Sequence, residues 1–187
     1  MKKPPIELER LRLYQDYGVD IGSRTISINS DIHEGSVDAT LTSLDFLENS
    51  GDEPIKLIVS TFGGCEIGML CLVDAIKASQ CAVETVARGK CMSAGPLIVA
   101  SGDIGCRYAY ENCSWMIHVG TGELEGTYHQ LKADMGWYKS IGDTWLDMMT
   151  DCSLMPRSHW KRLIDKNRDI FFTSEQALTW GLVDYVL

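Results

Sequence analysis

From residue 25 onward, short apolar runs alternate with longer segments in which apolar residues recur at helical spacing. The strand-like runs are TISIN, IKLIVS and AVETVAR, and the intervening segments of helical period are VDATLTSLDFLEN and the stretch that follows Gly63-Gly64. Strands that alternate with helices are typical of βαβ units, in which the strands pair in parallel. The pattern therefore predicts an α/β fold.

The second half of the chain continues this alternation with shorter elements. The apolar run PLIVA fits a buried strand or a buried helix. Pro96 favours the helix, because the first turn of a helix tolerates a residue that lacks an N–H. Next, CRYAY and SWMIH are predicted as two strands joined by a turn. Near the C-terminus, HWKRLIDK and SEQALTWG are predicted as two helices joined by a turn, and LVDYVL as the last strand.

One segment predicts a helix much longer than the others, from Thr127 to Asp151. Its apolar positions recur at helical spacing: Leu131, Met135, Tyr138, Trp145, Met149 and Cys152. Such a helix is about 40 Å long, which is close to the width of a whole domain. We expect it to project and to contact another subunit, and the alternative is that it lies across its own core.

Composition narrows the class of protein. The 187 residues, 45% of them hydrophobic, suit one globular domain. Lysine and arginine total 17 against 26 acids, and a net charge of −9 argues against nucleic acid as a partner. Seven cysteines without a C-x-x-C pair suit reduced thiols and a cytoplasmic location. Neither a signal peptide nor a membrane span is expected, so we predict a soluble protein.

The stretch GKCMSAGPLIVASG places Ser93 among small residues, just before the predicted helix. A serine becomes a nucleophile when a base takes its proton, and the N–H groups at a helix start could stabilise an oxyanion. The alternative is that Ser93 only caps the helix. Gly63-Gly64, between a strand and a helix, could bring further bare N–H groups to the same place.

His118 is the candidate base, because it ends a predicted strand, where open sheets gather catalytic groups. The other three histidines, His33, His129 and His159, lie in polar or turn-like surroundings and are expected to be solvated. A catalytic histidine also needs an acid that fixes its tautomer. Spacing alone does not select that acid among the 26 available.

The segment from Gly89 to His118, GKCMSAGPLIVASGDIGCRYAYENCSWMIH, resembles the catalytic segment of the Clp protease proteolytic subunit family, ClpP. The family pattern has a serine and the histidine of an M-I-H motif in the same register. The resemblance extends to NRDIFFTSEQALTWGLVD and to TFGG, which is similar to the family's S-P-G-G oxyanion loop. It covers most of the chain, from about residue 17 to the C-terminus.

This resemblance implies a ClpP/crotonase-like fold of repeated ββα-type units with a long projecting helix. Residues 17–187 would form a single peptidase domain, and residues 1–16 an N-terminal segment that could be mobile. The enzyme would be a serine-type endopeptidase acting on unfolded polypeptides or short peptides, without a metal or organic cofactor. The implied roles are nucleophile for Ser93, base for His118, orienting acid for Asp169, and backbone oxyanion donors for Gly63 and Ala94.

The resemblance also implies an assembly, namely a homo-oligomer of stacked seven-membered rings that encloses the active sites in a chamber. Arg168 matches the family's arginine in ring-to-ring ion pairs. A Clp-type AAA+ unfoldase is the implied partner. Its docking stays open, because Lys56 and Ile58 stand where the family has an aromatic-bearing strand.

Three other interpretations remain at this point. The chain could be a structural or regulatory ring subunit without useful catalysis. It could be a crotonase-like enzyme that uses the Gly-rich loop to stabilise a thioester enolate. It could also be a serine peptidase whose base is a lysine, and Lys90 lies close to Ser93 in the sequence.

Overall fold

The computed structural model describes residues 6–121 and 124–187. Residues 1–5 of the predicted N-terminal segment therefore lie outside the described residues. The rest of that segment forms helix α1 (Ile6–Tyr17), which the apolar pattern did not predict. This helix lies against the first strand, and Arg10 of α1 binds both carboxylate oxygens of Asp20, at 2.7 and 2.9 Å.

The other elements follow the predicted alternation, with two exceptions. In chain order they are β1 (Val19–Asp20), β2 (Thr25–Ile28), α2 (Glu34–Glu48), β3 (Ile55–Thr61), α3 (Glu66–Ala78), β4 (Val83–Met92), α4 (Gly95–Ala100), β5 (Arg107–Ala109), β6 (Ser114–Ile117), α5 (Tyr128–Asp151), α6 (Arg157–Ile164), β7 (Ile170–Phe172), α7 (Ser174–Thr179) and β8 (Tyr185–Val186). The exceptions are β1, which lies before the predicted alternation begins at residue 25, and β7, which forms where a turn was predicted between α6 and α7.

The strands form one mixed sheet whose main path runs β1-β2-β3-β4-β5-β8. From β2 to β8 this path is parallel, and α2 and α3 make the crossovers between β2, β3 and β4. The chain therefore has the predicted α/β architecture, consistent with the ClpP fold. Side chains of β3 alternate between buried and half-buried along the strand, as expected for a strand with one face on the core.

The sheet divides at β4, the longest strand. The first part of β4 pairs with β5 through Thr85–Ala87, and its last part, Lys90–Met92, pairs in parallel with β6. Gly89 lies between the two parts with φ of 72°, a backbone conformation that favours glycine. This bend carries the end of β4 toward β6, and β6 in turn pairs antiparallel with β7.

The long helix α5 is buried only in its second half. Ile141, Leu146 and Met149 pack on the body, whereas the first half, including Met135 and Trp137, is largely exposed. The first half thus projects from the body, as the sequence predicted. Contact with another subunit stays a prediction.

His159 is not solvated, so that expectation was wrong. Its ring is half-buried and lies edge-on against Trp160 and Trp180, with centroid distances of 5.1 and 5.2 Å. Burial lowers the pKa of His159, and the nearby charges of Arg162 and Lys166 act in the same direction. The polar sequence around this histidine did not reveal the aromatic cluster, because Trp180 comes from a distant helix end.

Candidate active site

The candidate residues meet at one edge of the sheet. Strands β3, β4 and β6 are mutually parallel, so their carboxyl ends point the same way. Gly63, Ser93 and His118 each follow one of these ends. The edge where the carboxyl ends of parallel strands gather is the usual place for a ligand site in an α/β sheet.

Ser93 occupies a sharp turn between β4 and α4. Its φ of 55° is in the left-handed region, which is rare for a residue other than glycine and is a kind of strain that clusters at functional sites. Its N–H donates to the carbonyl of Met116 at 2.8 Å, which ties the turn to β6. Helix α4 begins at Gly95, and its cap residue Ala94 makes no side-chain cap, so the interpretation of Ser93 as a helix cap was wrong.

The Ser93 hydroxyl is instead hydrogen-bonded to a histidine. Ser93 Oγ and His118 Nε2 are 2.9 Å apart, within the range for proton transfer between a nucleophile and a general base. His118 is half-buried at the end of β6. Of the four histidines, the sequence had selected this one, and the structure brings it to the serine.

Asp169 reaches His118 through β7, a strand that was not predicted. β7 runs antiparallel to β6, and Ile170 pairs with Ile117, so the residue before β7 lies beside the residue after β6. The distance from His118 Nδ1 to Asp169 Oδ1 is 3.5 Å, and the Asp169 side chain is 54% exposed. This distance is longer than that of an ordinary hydrogen bond.

The loop after β3 corrects the assignment of Gly63 as an oxyanion donor. Its N–H donates to the side-chain oxygen of Thr61 at 3.0 Å, so this N–H is not free, and Gly63 itself is buried. Gly63 is instead a packing residue under the nucleophile. Its φ is 105°, and an added Cβ would collide with the Cβ of Ser93 and lie 2.9 Å from its Oγ.

The neighbouring Gly64 is exposed at the same edge, where it lines the same pockets as Ser93 and His118. Hydrogen bonds on either side of Gly64 fix the loop, because Ile32 donates to the carbonyl of Gly63 at 2.7 Å and accepts from the N–H of Cys65 at 2.8 Å. Among the described residues, no acceptor takes the N–H of Gly64 or of Ala94. These two N–H groups are therefore free to bind an oxygen near Ser93.

Two adjoining pockets open onto the Ser93–His118 pair. They share Gly64, Glu66, Gly120 and Ile141 in their walls. The smaller pocket continues between the apolar side chains of Met69, Trp145 and Ile164. The larger pocket extends along the first half of α5 and is lined by Phe62, Leu124, Asp134, Trp137 and Tyr138. This gives the serine a cleft in which an extended chain could lie.

Arg168 directly precedes Asp169 in the chain. It is exposed and makes no ion pair within residues 6–121 and 124–187. Within those same ranges, no cluster of three or more metal-ligating side chains occurs, and no helix is both long and apolar enough to cross a membrane.

Sequence reasoning singled out the pair Gly63-Gly64 but assigned the oxyanion role to Gly63 alone, and it missed Glu66. A signal against Gly63 was available, because a threonine two residues before a glycine often accepts that glycine's N–H in a turn. Glu66 was not singled out, because an acid in the first turn of a helix is common for its interaction with the helix dipole alone.

Comparison with known proteins matches this chain to one family and its members. The family model for Clp protease matches residues 8–187. An ATP-dependent Clp protease proteolytic subunit of Deinococcus radiodurans is 27% identical over 177 residues, which cover 94% of this chain and 86% of the relative. Subunit 1 of Chlamydia felis and subunit 2 of Chlamydia abortus are each 27% identical over 165 residues, covering 88% of this chain and 80% of each relative.

Proposed function

Because this chain belongs to the Clp protease family, we propose that it is a serine-type endopeptidase that cleaves unfolded polypeptides or short peptides through an acyl-enzyme. The observation that carries the proposal is the 2.9 Å hydrogen bond between Ser93 Oγ and His118 Nε2, with Ser93 in a left-handed turn at the carboxyl edge of the sheet. No metal or organic cofactor enters this chemistry.

In the proposed reaction, His118 Nε2 takes the proton of the Ser93 hydroxyl while Oγ attacks the substrate carbonyl carbon. The tetrahedral intermediate collapses when His118 returns that proton to the leaving amine, and the acyl group stays on Ser93. A water molecule then attacks the ester while His118 takes its proton, and His118 returns that proton to Ser93 Oγ as the acid product leaves. Asp169, on the Nδ1 side of His118, favours the tautomer that leaves Nε2 free to accept.

The oxyanion of the intermediate would be bound by the N–H groups of Gly64 and Ala94. Both N–H groups are unused, and Gly64 and Ala94 line the pocket that contains Ser93. Ala94 also precedes the first turn of α4, although a six-residue helix adds little by its dipole. Donors fixed in this way stabilise the developing charge without reorganisation during the reaction.

The first test uses a fluorophosphonate, which reports an activated serine without knowledge of the substrate. We expect intact-mass measurement to find one adduct per chain, and peptide mapping to place it on Ser93. Ser93→Ala should abolish the adduct, whereas Ser114→Ala, which changes an exposed serine of β6, should leave it unchanged.

Absence of an adduct in folded, oligomeric protein would contradict the proposal. It would favour the alternative of a ring subunit that retains the fold without useful catalysis. An adduct on a serine other than Ser93 would also contradict it, since it would place the nucleophile elsewhere.

We propose further that the active form is a homo-oligomer of stacked rings, fed by a Clp-type AAA+ unfoldase. The relatives are named as ATP-dependent proteolytic subunits, and the exposed apolar side chains of α5, such as Met135 and Trp137, suit burial between copies. Seven free thiols fit a reducing, cytoplasmic compartment.

The proposed assembly predicts a concentration dependence of activity. Asp169 is half-exposed, and its 3.5 Å distance from His118 Nδ1 is longer than an ordinary hydrogen bond, so contacts between copies through Arg168 would hold this acid in place. We therefore expect peptidase activity per subunit to fall several-fold on dilution through the range where light scattering shows dissociation. Arg168→Ala should shift that range to higher concentration, while Arg162→Ala, an exposed arginine of α6, should not. Full activity of isolated subunits would contradict the prediction.

A further inference from the structure

A single carboxylate borders both pockets that open onto the nucleophile. Glu66 is the first residue of α3, and it lines the smaller and the larger pocket together with Ser93 and His118. We infer that Glu66 makes this enzyme select substrates with a lysine or arginine as the acyl-side residue, the residue that supplies the scissile carbonyl. The inference rests on the proposed peptidase function and adds the substrate class to it.

A glycine leaves the room that the carboxylate occupies beside the catalytic pair. Gly120, two residues after His118, has its Cα against the Glu66 carboxylate, and an added Cβ at this position would collide with Glu66 Oε1. The carboxylate thus occupies the space that a side chain at residue 120 would take. Both pockets contain Gly120 as well as Glu66, so the acyl-side residue would meet this carboxylate in either pocket.

Within the described residues, the Glu66 carboxylate has neither a cationic partner nor a hydrogen-bond donor. Its side chain is half-buried, and no ion pair or side-chain hydrogen bond to it is formed. Asp134 adds a second acid to the larger pocket, and neither pocket has a lysine or arginine in its described walls. A substrate that enters the pocket displaces water from this carboxylate. A cationic side chain compensates for the lost hydration, whereas an apolar or acidic one does not.

The remaining walls fit the other parts of a basic side chain. Met69, Trp145 and Ile164 make the smaller pocket apolar apart from Glu66 and the catalytic pair. The methylene stems of lysine and arginine bury readily along such surfaces while the charged head reaches a polar group. Trypsin selects basic residues in the same chemical way, with a carboxylate in its specificity pocket.

The helix dipole offers a simpler reason for an acid at this position, since Glu66 is in the first turn of α3. Glu34 provides a matched control, because it is the first residue of α2 and is exposed, away from both pockets. If the dipole were the only role, Glu66→Gln and Glu34→Gln would change stability slightly and leave substrate preference unchanged.

The experiment measures kcat/KM on three peptides that differ only in the acyl-side residue, which is lysine, leucine or glutamate. We expect the natural protein and Glu34→Gln to prefer lysine over leucine by about 10-fold or more, and to cleave the glutamate peptide least. Glu66→Gln keeps the size of the side chain, so it should reduce the lysine preference to about twofold or less.

The outcomes separate this inference from the proposed function. A preference for leucine over lysine in the natural protein, or a lysine preference that survives in Glu66→Gln, overturns the inference, while cleavage and fluorophosphonate labelling of Ser93 would leave the peptidase proposal intact. Absence of both labelling and cleavage overturns the proposed function and the inference with it.

Discussion

Replacing His118 by alanine is expected to lower kcat/KM for a peptide substrate by about 10⁴-fold or more, as loss of the base does in other serine peptidases. The physical reason is the 2.9 Å contact between His118 Nε2 and Ser93 Oγ, since without this imidazole no described side chain accepts a proton from the hydroxyl. The fall should appear mainly in kcat, because His118 acts on atoms that change charge in the transition state. Steady-state kinetics on a fluorogenic peptide would measure it.

A second histidine supplies the control. His33 caps α2 through its Nδ1, which accepts from the N–H of Ser36 at 3.3 Å. Because asparagine is also a good helix cap, His33→Asn removes an imidazole while keeping the fold. We expect His33→Asn to retain activity within about twofold of the natural protein, as for a surface change away from the site. If His118→Ala also retained full activity, a lysine base, with Lys90 as the first candidate, would replace the histidine in the mechanism.

The sequence was sufficient for most of the fold because its signals there are local. Each apolar run such as IKLIVS carries a strand period, and the order of runs predicts parallel pairing through helical crossovers. Ser93 and His118 were identified for the same reason, since each directly follows a strand. Residues that follow neighbouring parallel strands are brought together by the sheet itself.

Features that depend on long-range pairing were not predictable in the same way. IFF is too short and too close to polar residues to indicate a strand, yet its pairing with β6 places Asp169 beside His118. Only the family resemblance had selected Asp169. The N–H of Gly63 is taken by the Thr61 side chain, which folds back within the same loop. This hydrogen bond distinguishes Gly63 from Gly64, and the order of the residues indicates it but does not establish it.

Replacing Asp184 by alanine should cost about 3–5 kcal/mol of unfolding free energy, because it would leave a buried arginine without its charge partner. Arg107 is only 7% exposed, and its guanidinium meets the two Asp184 oxygens at 2.7 and 3.0 Å. Asp184 also accepts from the backbone N–H of Gly105 at 2.7 Å. Arg107 in turn donates to the carbonyl of Cys152 at 2.7 Å, so this network joins β5, the end of α5 and the C-terminal strand.

The matched control is Asp165→Ala, which removes an ion pair with Lys161 in which both side chains are more than half exposed. Because such a surface pair contributes little, this substitution should change the unfolding free energy by about 1 kcal/mol or less. Denaturant unfolding followed by tryptophan fluorescence, at one fixed protein concentration, measures both variants. A loss for Asp184→Ala no larger than for Asp165→Ala would show that the buried pair is not a principal support of the fold.

The pH dependence gives an independent check on the same network. Burial opposes ionisation of Asp184, but the hydrogen bonds and charge of Arg107 outweigh it and lower the pKa of this carboxyl below its ordinary value. As pH falls, the unfolded chain therefore takes up this proton before the folded protein does, and stability is lost as the pH passes down through the folded pKa. The difference between the natural protein and Asp184→Ala should be constant from about pH 5 to 7 and should narrow below about pH 4, where an ordinary aspartate becomes protonated. A difference that widened on acidification would mean that the carboxylate is not stabilised by Arg107, since only a group with a raised folded pKa gains stability as pH falls.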